Sequence, residues 1–408
     1  MSLESILLSV PTGLLDHIAN GYLNLSGWGR FAAFMAMTHL TIISVTLYLH
    51  RCQSHRALEL HPLASHPMRF WLWFTTGQNT KAWAAIHRKH HAKCETEEDP
   101  HSPQTRGLWA VFSRGAELYR AEARNQETLD KYGHGTPSDW IERKIYTPHS
   151  VVGLASCLIF CWFMFGLGWG TAMWAGIMSW IPIMAAGVIN GVGHYWGYRN
   201  NGSEDASKNI VPWGILIGGE ELHNNHHTYA TSPKFSSQPW EFDAGWMYIQ
   251  ILSFFGLAKA RSLPEQTQLL AAAKPVADEE TLHALFAARY SLMRHYAKVL
   301  KNAVRAERDA LQPMGLFSSA KRLVHKDQSS LALEDQALVS NVLSASDRLA
   351  KLHAMRDELA QLWARSSHSR EHLLSQLQDW CHRAEHSGVR HLQDLSVYLR
   401  RVSLKKAM

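Results

Sequence analysis

Histidine side chains are concentrated in three short clusters of this 408-residue chain, which has 25 histidines in all. One cluster is a pair five residues apart, and each of the other two has an HxxHH pattern. The clustered histidines are His50 and His55; His87, His90 and His91; and His223, His226 and His227. Because imidazole is a good ligand for zinc, copper, iron and nickel, these clusters predict a metal centre.

The spacing within the clusters predicts how they bind metal. Helix positions i, i+3 and i+4 share a face, so each HxxHH cluster can converge on one side of a helix. Adjacent histidines diverge by roughly 100°, which lets one cluster serve two nearby ions. Asn190 and His194 are also four residues apart and can face the same centre. Together with His194, the eight clustered histidines make nine, which is more than the four ligands of a tetrahedral zinc site. The HExxH signature of zinc proteases is absent.

Apolar segments must position these clusters. The segment 31–49 is about long enough to cross a bilayer core, which takes about 20 residues. No Asp, Glu, Lys or Arg occurs in 145–198, and a glycine-rich stretch at 165–170 divides this region into spans over 151–165 and 171–192. The loop 51–144 is dense in Lys and Arg, so the positive-inside rule places it, and everything after residue 199, in the cytoplasm.

Three further segments have distinct compositions. Residues 4–24 predict an interfacial or re-entrant segment, because Pro, Asp and His interrupt their apolar character. Residues 67–83 predict a helix lying in the interface. After residue 262 the chain becomes charged and periodic at helical spacing, which predicts a soluble helical extension used for docking or oligomerisation. Its predicted helices are 279–311, 333–363 and 370–386.

Charge and cysteine content exclude other classes. A net charge of +6 is small and dispersed, which argues against nucleic-acid binding and suits anionic lipid or an acidic redox partner. The five cysteines contain no CxxC pair, so we expect neither a disulfide framework nor a zinc knuckle. The first residues lack the pattern of a secretory signal peptide.

Four motifs resemble those of the membrane fatty-acid desaturase superfamily. They are LHRCQSHRA, AIHRKHH followed by EEDPHSP, NGVGHYWGYR and GEELHNNHH, within residues 30–260. They are most similar to the Δ9 branch, which includes the stearoyl-CoA desaturases, in its bacterial form. They differ from the HDCGH box of the Δ12 type and from the Glu-containing boxes of alkane hydroxylases.

The resemblance implies an all-α integral membrane protein with a transmembrane helical stem and a cytoplasmic helical cap that holds a diiron site and a bent acyl tunnel. It implies that nine histidines bind two irons, with Asn190 approaching one iron through water and Trp83 near the tunnel. These histidines are His50, His55, His87, His90, His91, His194, His223, His226 and His227. Glu220 and Asp99 are candidates for orienting the imidazoles. The implied domains are the N-terminal segment 1–28, the desaturase domain 29–261 and the helical extension 262–408.

The implied activity is O₂-dependent formation of a cis double bond, of Δ9 type, in a long-chain acyl group. Electrons would come from a ferredoxin, a cytochrome b5-like carrier or a flavin reductase. We expect a bacterial inner-membrane location with the active site facing the cytoplasm.

Three alternatives stay open. Animal acyl-CoA desaturases have Arg-Asp before the second box, where this chain has Ala85 and Ile86, so a phospholipid-esterified acyl chain competes with acyl-CoA as substrate. A hydroxylase of the same superfamily would share every ligand. A non-enzymatic membrane metal-binding protein would need polar residues within its spans, and the charge-free region 145–198 argues against it.

Overall fold

A computed structural model describes residues 12–203, 205–325, 331, 333–364 and 369–405. The chain divides into two compact units. The first comprises residues 1–199 and 203–263, and the second comprises 200–202 and 264–408. The predicted segment 4–24 is described only from residue 12, and residues 1–11 lie outside the described residues.

The first unit is built mainly from helices. Its α-helices are α1 Thr12–Asn20, α2 Gly27–Ser44, α3 Pro62–Thr76, α4 Thr80–Lys93, α5 Pro103–Arg106, α6 Leu108–Glu122, α7 Gln126–Tyr132, α8 Ser150–Phe165, α9 Leu167–Ile181, α10 His223–Thr228 and α11 Ala244–Phe254. Wider π-helical turns occupy Val45–Ser54, Glu142–Tyr146 and Pro182–Gly191, and a 3₁₀ turn occupies Val192–His194.

Two continuous helices of the first unit are long and apolar enough to cross a membrane. They are Gly27–Ser54, called here the first span, and Leu167–His194, called the second span. At about 1.5 Å per residue, 28 helical residues reach further than a hydrocarbon core of about 30 Å. The helix Ser150–Phe165 is apolar but shorter. All three coincide with the segments predicted from hydropathy, although the first continues past His50 to residue 54.

Polar caps set the helix boundaries near the metal-binding motifs. The single helix expected over 67–83 is divided, because α3 ends at Gly77, whose φ is 60°. Glycine adopts this left-handed conformation without steric cost. The Asn79 side chain then accepts a hydrogen bond from the Ala82 N–H and begins α4, which carries the second histidine cluster.

Short strand pairs join distant parts of the chain, which the all-α prediction did not include. In the first unit, β1 Leu58–Leu60 pairs antiparallel with β4 Ala258–Ala260, and β2 Trp213–Gly214 pairs parallel with β3 Phe242–Asp243. In the second unit, β5 Thr267–Leu269 pairs antiparallel with β6 Val402–Leu404.

The second unit is a helical bundle with its own hydrophobic core. Its helices are α12 Glu279–Ala306, α13 Arg308–Leu311, α14 Phe317–Leu323, α15 Leu333–Ala345, α16 Asp347–Ala364, α17 Arg370–His386 and α18 Arg390–Arg401. Tyr296 and Trp380 are buried in the core. The helix predicted over 333–363 is wrong, because Ser346 interrupts it and its hydroxyl accepts a hydrogen bond from the Leu349 N–H.

Candidate metal centre

Nine histidine side chains of the first unit meet in two groups. Within each group, one donor atom per residue lies within 4.8 Å of every other. The five-histidine group consists of His50, His55, His87, His91 and His226. The four-histidine group consists of His90, His194, His223 and His227. The structure therefore brings together all nine histidines that the sequence predicts as ligands.

Each HxxHH cluster is divided between the two groups. His87 and His91 enter the five-histidine group, whereas His90 between them enters the four-histidine group. The third cluster is reversed, because its middle histidine, His226, enters the five-histidine group. On a helix, residues four apart differ in direction by about 40°, whereas adjacent residues differ by about 100°. The pattern therefore lets one helical turn supply ligands to two neighbouring ions.

The first histidine pair depends on a widened helical turn. The His55 N–H donates to the His50 carbonyl oxygen, five residues earlier, at 3.1 Å. In an α-helix, residues five apart would diverge by about 140°, but the π-helical turn brings them to one side. Their ring centroids are 4.9 Å apart. This turn explains how HxxxxH places both imidazoles in one group of candidate ligands.

Four carboxylates orient four of the histidines. Each accepts a hydrogen bond from a histidine Nδ1. The pairs are His50 with Glu220 at 2.6 Å, His90 with Asp99 at 3.0 Å, His194 with Glu95 at 2.9 Å and His227 with Asp205 at 3.0 Å. An ionised carboxylate only accepts hydrogen bonds, so Nδ1 carries the proton and the Nε2 lone pair is free to bind a metal.

The Nε2 atoms converge at distances that suit a shared cation. Nε2 of His226 lies 3.0 Å from Nε2 of His50 and 3.0 Å from Nε2 of His91. In the four-histidine group, the Nε2 atoms of His194 and His223 are 2.9 Å apart. With metal–nitrogen bonds of about 2.1 Å, two ligands at a right angle would be about 3.0 Å apart. The donor set therefore fits one metal ion in each group.

Unpaired buried nitrogens support the same fit. The Nε2 atoms of His90 and His227 are buried and have no hydrogen-bond partner among the described residues. Leaving such an atom unsatisfied costs about 1–3 kcal/mol, which a bound metal ion would offset.

Burial favours the neutral form of most of the nine imidazoles. It lowers the pKa of several histidines well below the usual range, and repulsion between neighbouring imidazoles lowers it further. These are His55, His87, His91, His223 and His226. Burial also lowers the pKa of His227 to about 4, although Asp205 opposes this shift. Neutral imidazole is the metal-binding form, so the site is prepared for cations near neutral pH.

Sequence reasoning missed several polar residues at the site. It named Glu220 and Asp99 but not Glu95 or Asp205, which contact histidines 99 and 22 residues away in the chain. It also did not select Cys94, the cysteine next to the four-histidine group. Burial, followed by nearby carboxylates, raises the pKa of the Cys94 thiol.

His101 is a further buried histidine that the sequence did not select. Its ring centroid is 4.4 Å from that of His90, and it lines the cavity described below. Its Nε2 is buried without a partner among the described residues. The one signal in the sequence was its place in the EEDPHSP segment that follows the second histidine box.

A buried ion pair supports the five-histidine group from behind. Arg51 donates to Asp243 at 2.8 Å and to the Gly218 carbonyl at 3.0 Å, and both side chains of the ion pair are fully buried. The guanidinium lies 3.8 Å from the Phe235 ring centroid, and that ring packs against His226 at 4.5 Å. The ion pair therefore fixes an aromatic wall of the site.

An elongated substrate could reach the histidines through a cavity of about 470 Å³. Its wall includes His50, His87 and His223, together with Trp83 and Asn190. The Trp83 ring stacks on His87, with centroids 5.1 Å apart. Most of the remaining wall is apolar, with side chains from the first span, α6 and the second span. The volume lies within the usual range for small-molecule sites.

Comparison with known proteins agrees with this site. The model of the fatty acid desaturase family matches residues 26–241, just over half of the chain. The chain therefore belongs to the fatty acid desaturase family and is a fatty-acyl desaturase. With two helices capable of crossing a bilayer, it is a membrane-associated enzyme.

Curated relatives are named as desaturases. The chain is 30% identical to the Arabidopsis thaliana protein named "Probable lipid desaturase ADS3.2, chloroplastic", over 65% of this chain and 72% of the relative. It is 29% identical to the sn-1 stearoyl-lipid 9-desaturase of Synechocystis, over 56% of this chain and 70% of the relative. A Delta-9 desaturase-like 3 protein of Arabidopsis thaliana is 28% identical over 59% of this chain and 78% of the relative.

The second unit is similar to a different family. A model described as Transposase matches residues 283–404. The groups of three or more histidine, cysteine or carboxylate donors found among the described residues all lie in the first unit. The predicted metal chemistry therefore belongs to the part of the chain that matches the desaturase family.

Proposed function

We propose that this chain is an O₂-dependent desaturase that introduces a cis double bond, of Δ9 type, into a long-chain acyl group. The observation that carries this proposal is the pair of histidine groups beside one largely apolar cavity. Two iron ions, one in each group, would be held by the nine histidines, and Asn190 would approach one of them through water.

When bound, the irons would supply O₂ activation: one O₂, two electrons and two protons convert a CH₂–CH₂ unit into CH=CH and two waters. The chain itself supplies position. Trp83 stacks on His87 and lines the cavity, so it can place one part of the acyl chain beside the histidines. Apolar walls exclude water and hold the reacting carbon pair in place, which lowers the entropic part of the barrier.

We favour an acyl chain esterified to a membrane lipid over acyl-CoA. Ala85 and Ile86 stand where animal acyl-CoA desaturases have a charged pair, and both are buried with at most 2% exposure. Among the described residues, Arg120 is an exposed cation that lines the cavity and has no acidic partner. It suits a phosphate of either substrate, so the preference for a lipid-linked chain rests on the apolar pair at 85 and 86. The name of the Synechocystis relative, a stearoyl-lipid desaturase, supports the same choice.

Two buried polar atoms line the cavity as well. The Tyr119 hydroxyl and the Gln78 Oε1 have no hydrogen-bond partner among the described residues. Arg120 follows Tyr119 directly on α6, so the two residues add polar groups to the same part of the wall. A glycerol ester could satisfy the hydroxyl, whereas a plain hydrocarbon could not.

The electrons would come from a separate carrier, which we expect to be a ferredoxin, a cytochrome b5-like protein or a flavin reductase. The Lys- and Arg-rich loop between the spans supports a cytoplasmic location of the histidines by the positive-inside rule. We therefore propose that the enzyme acts at the cytoplasmic face of a bacterial inner membrane.

The test is gas chromatography–mass spectrometry of fatty acids from a bacterial host that expresses the full chain, with derivatisation that locates double bonds. We expect a new cis-monoene with the wild type and none with His226→Ala. The matched control is His134→Ala, which removes an exposed histidine outside both groups and should keep the product. Separating lipid classes after a short labelling pulse should show the new bond first in intact phospholipid.

Each alternative predicts a different result. A hydroxylated fatty acid in place of the monoene would favour the hydroxylase. Product that appears first in acyl-CoA would reject the lipid-linked substrate. Product that persists in His226→Ala would remove this histidine from the ligand set.

A further inference from the structure

Helix α11 follows the third histidine cluster and is short and uncharged. It comprises the 11 residues Ala244–Phe254, and no Asp, Glu, Lys, Arg or His occurs in 244–258. Eleven helical residues extend about 16 Å, which is about half of a hydrocarbon core of about 30 Å. The helix is therefore apolar enough for lipid but too short to cross it.

One face of α11 packs against the first span. Ile249 is fully buried in a cluster with Ile43 and Leu47 of the span. The Tyr248 hydroxyl and the His39 Nε2 are 2.9 Å apart and share a hydrogen bond. His39 lies 12 residues into the span, so α11 lies alongside a part of that helix that must be within the bilayer if the span crosses it.

The opposite face of α11 is exposed and apolar. Met247, Ile251, Phe254 and Phe255 occur at i, i+4, i+7 and i+8, the spacing of a single helical face. Phe254 is 85% exposed and Phe255 is 67% exposed. Contiguous exposed groups of this kind mark binding sites for protein or membrane.

A neighbouring loop extends the same apolar surface around the first span. Ile215 and Leu216 are both more than half exposed. They are held close to the span because Thr46 donates to the Glu220 carboxylate at 2.6 Å, and the Gly218 carbonyl oxygen lies 3.4 Å from the same hydroxyl. The Gly245 N–H at the start of α11 donates to the same carbonyl at 3.1 Å, so the loop and the helix are joined.

Gly218 permits this close approach. Its φ is 68°, and a Cβ there would lie 2.9 Å from the Thr46 side chain. A side chain would therefore be strained and would also push the loop away from the span.

We propose that these six side chains form a collar that is embedded among the lipid acyl chains of one bilayer leaflet. The collar comprises Ile215, Leu216, Met247, Ile251, Phe254 and Phe255. Lipid is the occupant because α11 packs against the first span at His39, Ile43 and Leu47, well inside a helix apolar enough to cross a bilayer. It makes α11 a monotopic anchor in addition to the membrane-crossing helices.

Aromatic residues at the edge of the collar agree with this placement. Trp213 and Phe242 are register partners in the β2–β3 pair, and both are exposed. Tryptophan favours the interface between hydrocarbon and water. Phe242 precedes α11 by two residues, so this aromatic pair marks where the collar meets the headgroup region.

The collar would also fix the position of the metal centre relative to the bilayer surface. Thr46 precedes His50 by four residues, a rise of about 6 Å on a helix. Asp243, which caps the start of α11, forms the ion pair with Arg51 directly after His50. A leaflet that holds α11 therefore holds the five-histidine group close to the lipid, where a lipid-linked acyl chain can enter directly.

Photocrosslinking of the full chain in bacterial membranes tests the proposal. The photoreactive residue p-benzoylphenylalanine replaces Phe254, which keeps an aromatic side chain at this exposed position. Phe163 on α8 is 61% exposed and gives the positive control, and Lys259, an exposed residue in β4, gives the negative control. After irradiation, intact-protein mass spectrometry measures the adducts.

We expect an adduct with the mass of one phospholipid at positions 254 and 163 and none at 259. Crosslinking of position 254 to another polypeptide or to a second copy of this chain would overturn the proposal. A lipid adduct at 163 without one at 254, or equal lipid adducts at 254 and 259, would overturn it as well.

Discussion

Removing the carboxylate of Asp205 should weaken metal binding in the four-histidine group alone. Asp205 accepts a hydrogen bond from His227 Nδ1 at 3.0 Å, and its other oxygen accepts one from the Ser207 N–H at 3.0 Å. A hydrogen bond to a charged group contributes about 1.5–3 kcal/mol. At about 1.4 kcal/mol per factor of ten, Asp205→Ala should weaken metal binding by about 10- to 150-fold. Carboxylates behind metal-bound histidines typically have effects of this size.

The assay is iron content per chain of the purified full-length enzyme after equilibration with increasing concentrations of a chelator. Wild type should retain two irons up to a high chelator concentration. Asp205→Ala should lose one iron at a free chelator concentration about 10- to 150-fold lower than wild type. Its second iron should be lost at the same chelator concentration as in wild type. Glu220→Ala, which releases His50, should show the same pattern through the five-histidine group.

The matched control is Glu98→Ala, because Glu98 forms an exposed ion pair with Lys93 close to the same motif. An exposed pair contributes only about 0–1 kcal/mol, so this variant should follow the wild-type curve. A wild-type curve for Asp205→Ala would refute the role assigned to this carboxylate. Loss of both irons in a single step would refute the separation into two groups.

Three other changes have definite expected outcomes. Asp243→Ala leaves the buried Arg51 without its carboxylate partner, which should lower the free energy of unfolding by about 3–5 kcal/mol. Thermal melts compare this variant with Glu59→Ala, whose ion pair is exposed. Equal melting temperatures for the two variants would contradict the prediction. Trp83→Ala removes the ring stacked on His87 and should broaden the range of double-bond positions seen by mass spectrometry; an unchanged product pattern would show that this ring does not position substrate. Truncation after residue 263 should leave two irons per chain by elemental analysis, because both histidine groups lie before it, and a loss of iron would contradict this boundary.

The sequence was most informative where local geometry decides the outcome. The HxxHH spacing implies a helical face, and adjacent histidines on a helix must diverge. That reasoning anticipates the division of His87, His90 and His91 between two groups of donor atoms, which the structure has. Hydropathy likewise located the three apolar helices, because bilayer thickness sets their length.

Departures from regular geometry were not predictable in the same way. HxxxxH does not fit an α-helical face, and only the π-helical turn over Val45–Ser54 brings His50 and His55 together. Such turns result from tertiary packing and have no reliable sequence signature. The break at Ser346 is subtler still, because one hydroxyl cap divides a helix whose apolar periodicity is otherwise continuous.

Carboxylates that are distant in sequence from their histidine partners were also not identified from the sequence. Glu95 and Asp205 occur in loops rich in ordinary charged residues, and nothing in their local sequence distinguishes them from a solvated surface. They become recognisable once the fold brings them to His194 and His227. Asp99 and Glu220 were easier to select, because they lie within the EEDPHSP and GEELHNNHH motifs.

The carboxylates are distributed unequally, and this asymmetry has a chemical consequence. Among the described residues, three carboxylates contact the four-histidine group, whereas Glu220 alone contacts the five-histidine group. Negative charge behind an imidazole makes it a stronger donor and stabilises a more highly charged cation. The four-histidine group therefore offsets its smaller number of nitrogen ligands with greater negative charge. Two ions of the same kind would therefore experience different electrostatic fields. The two histidine groups should then not be interchangeable in redox chemistry.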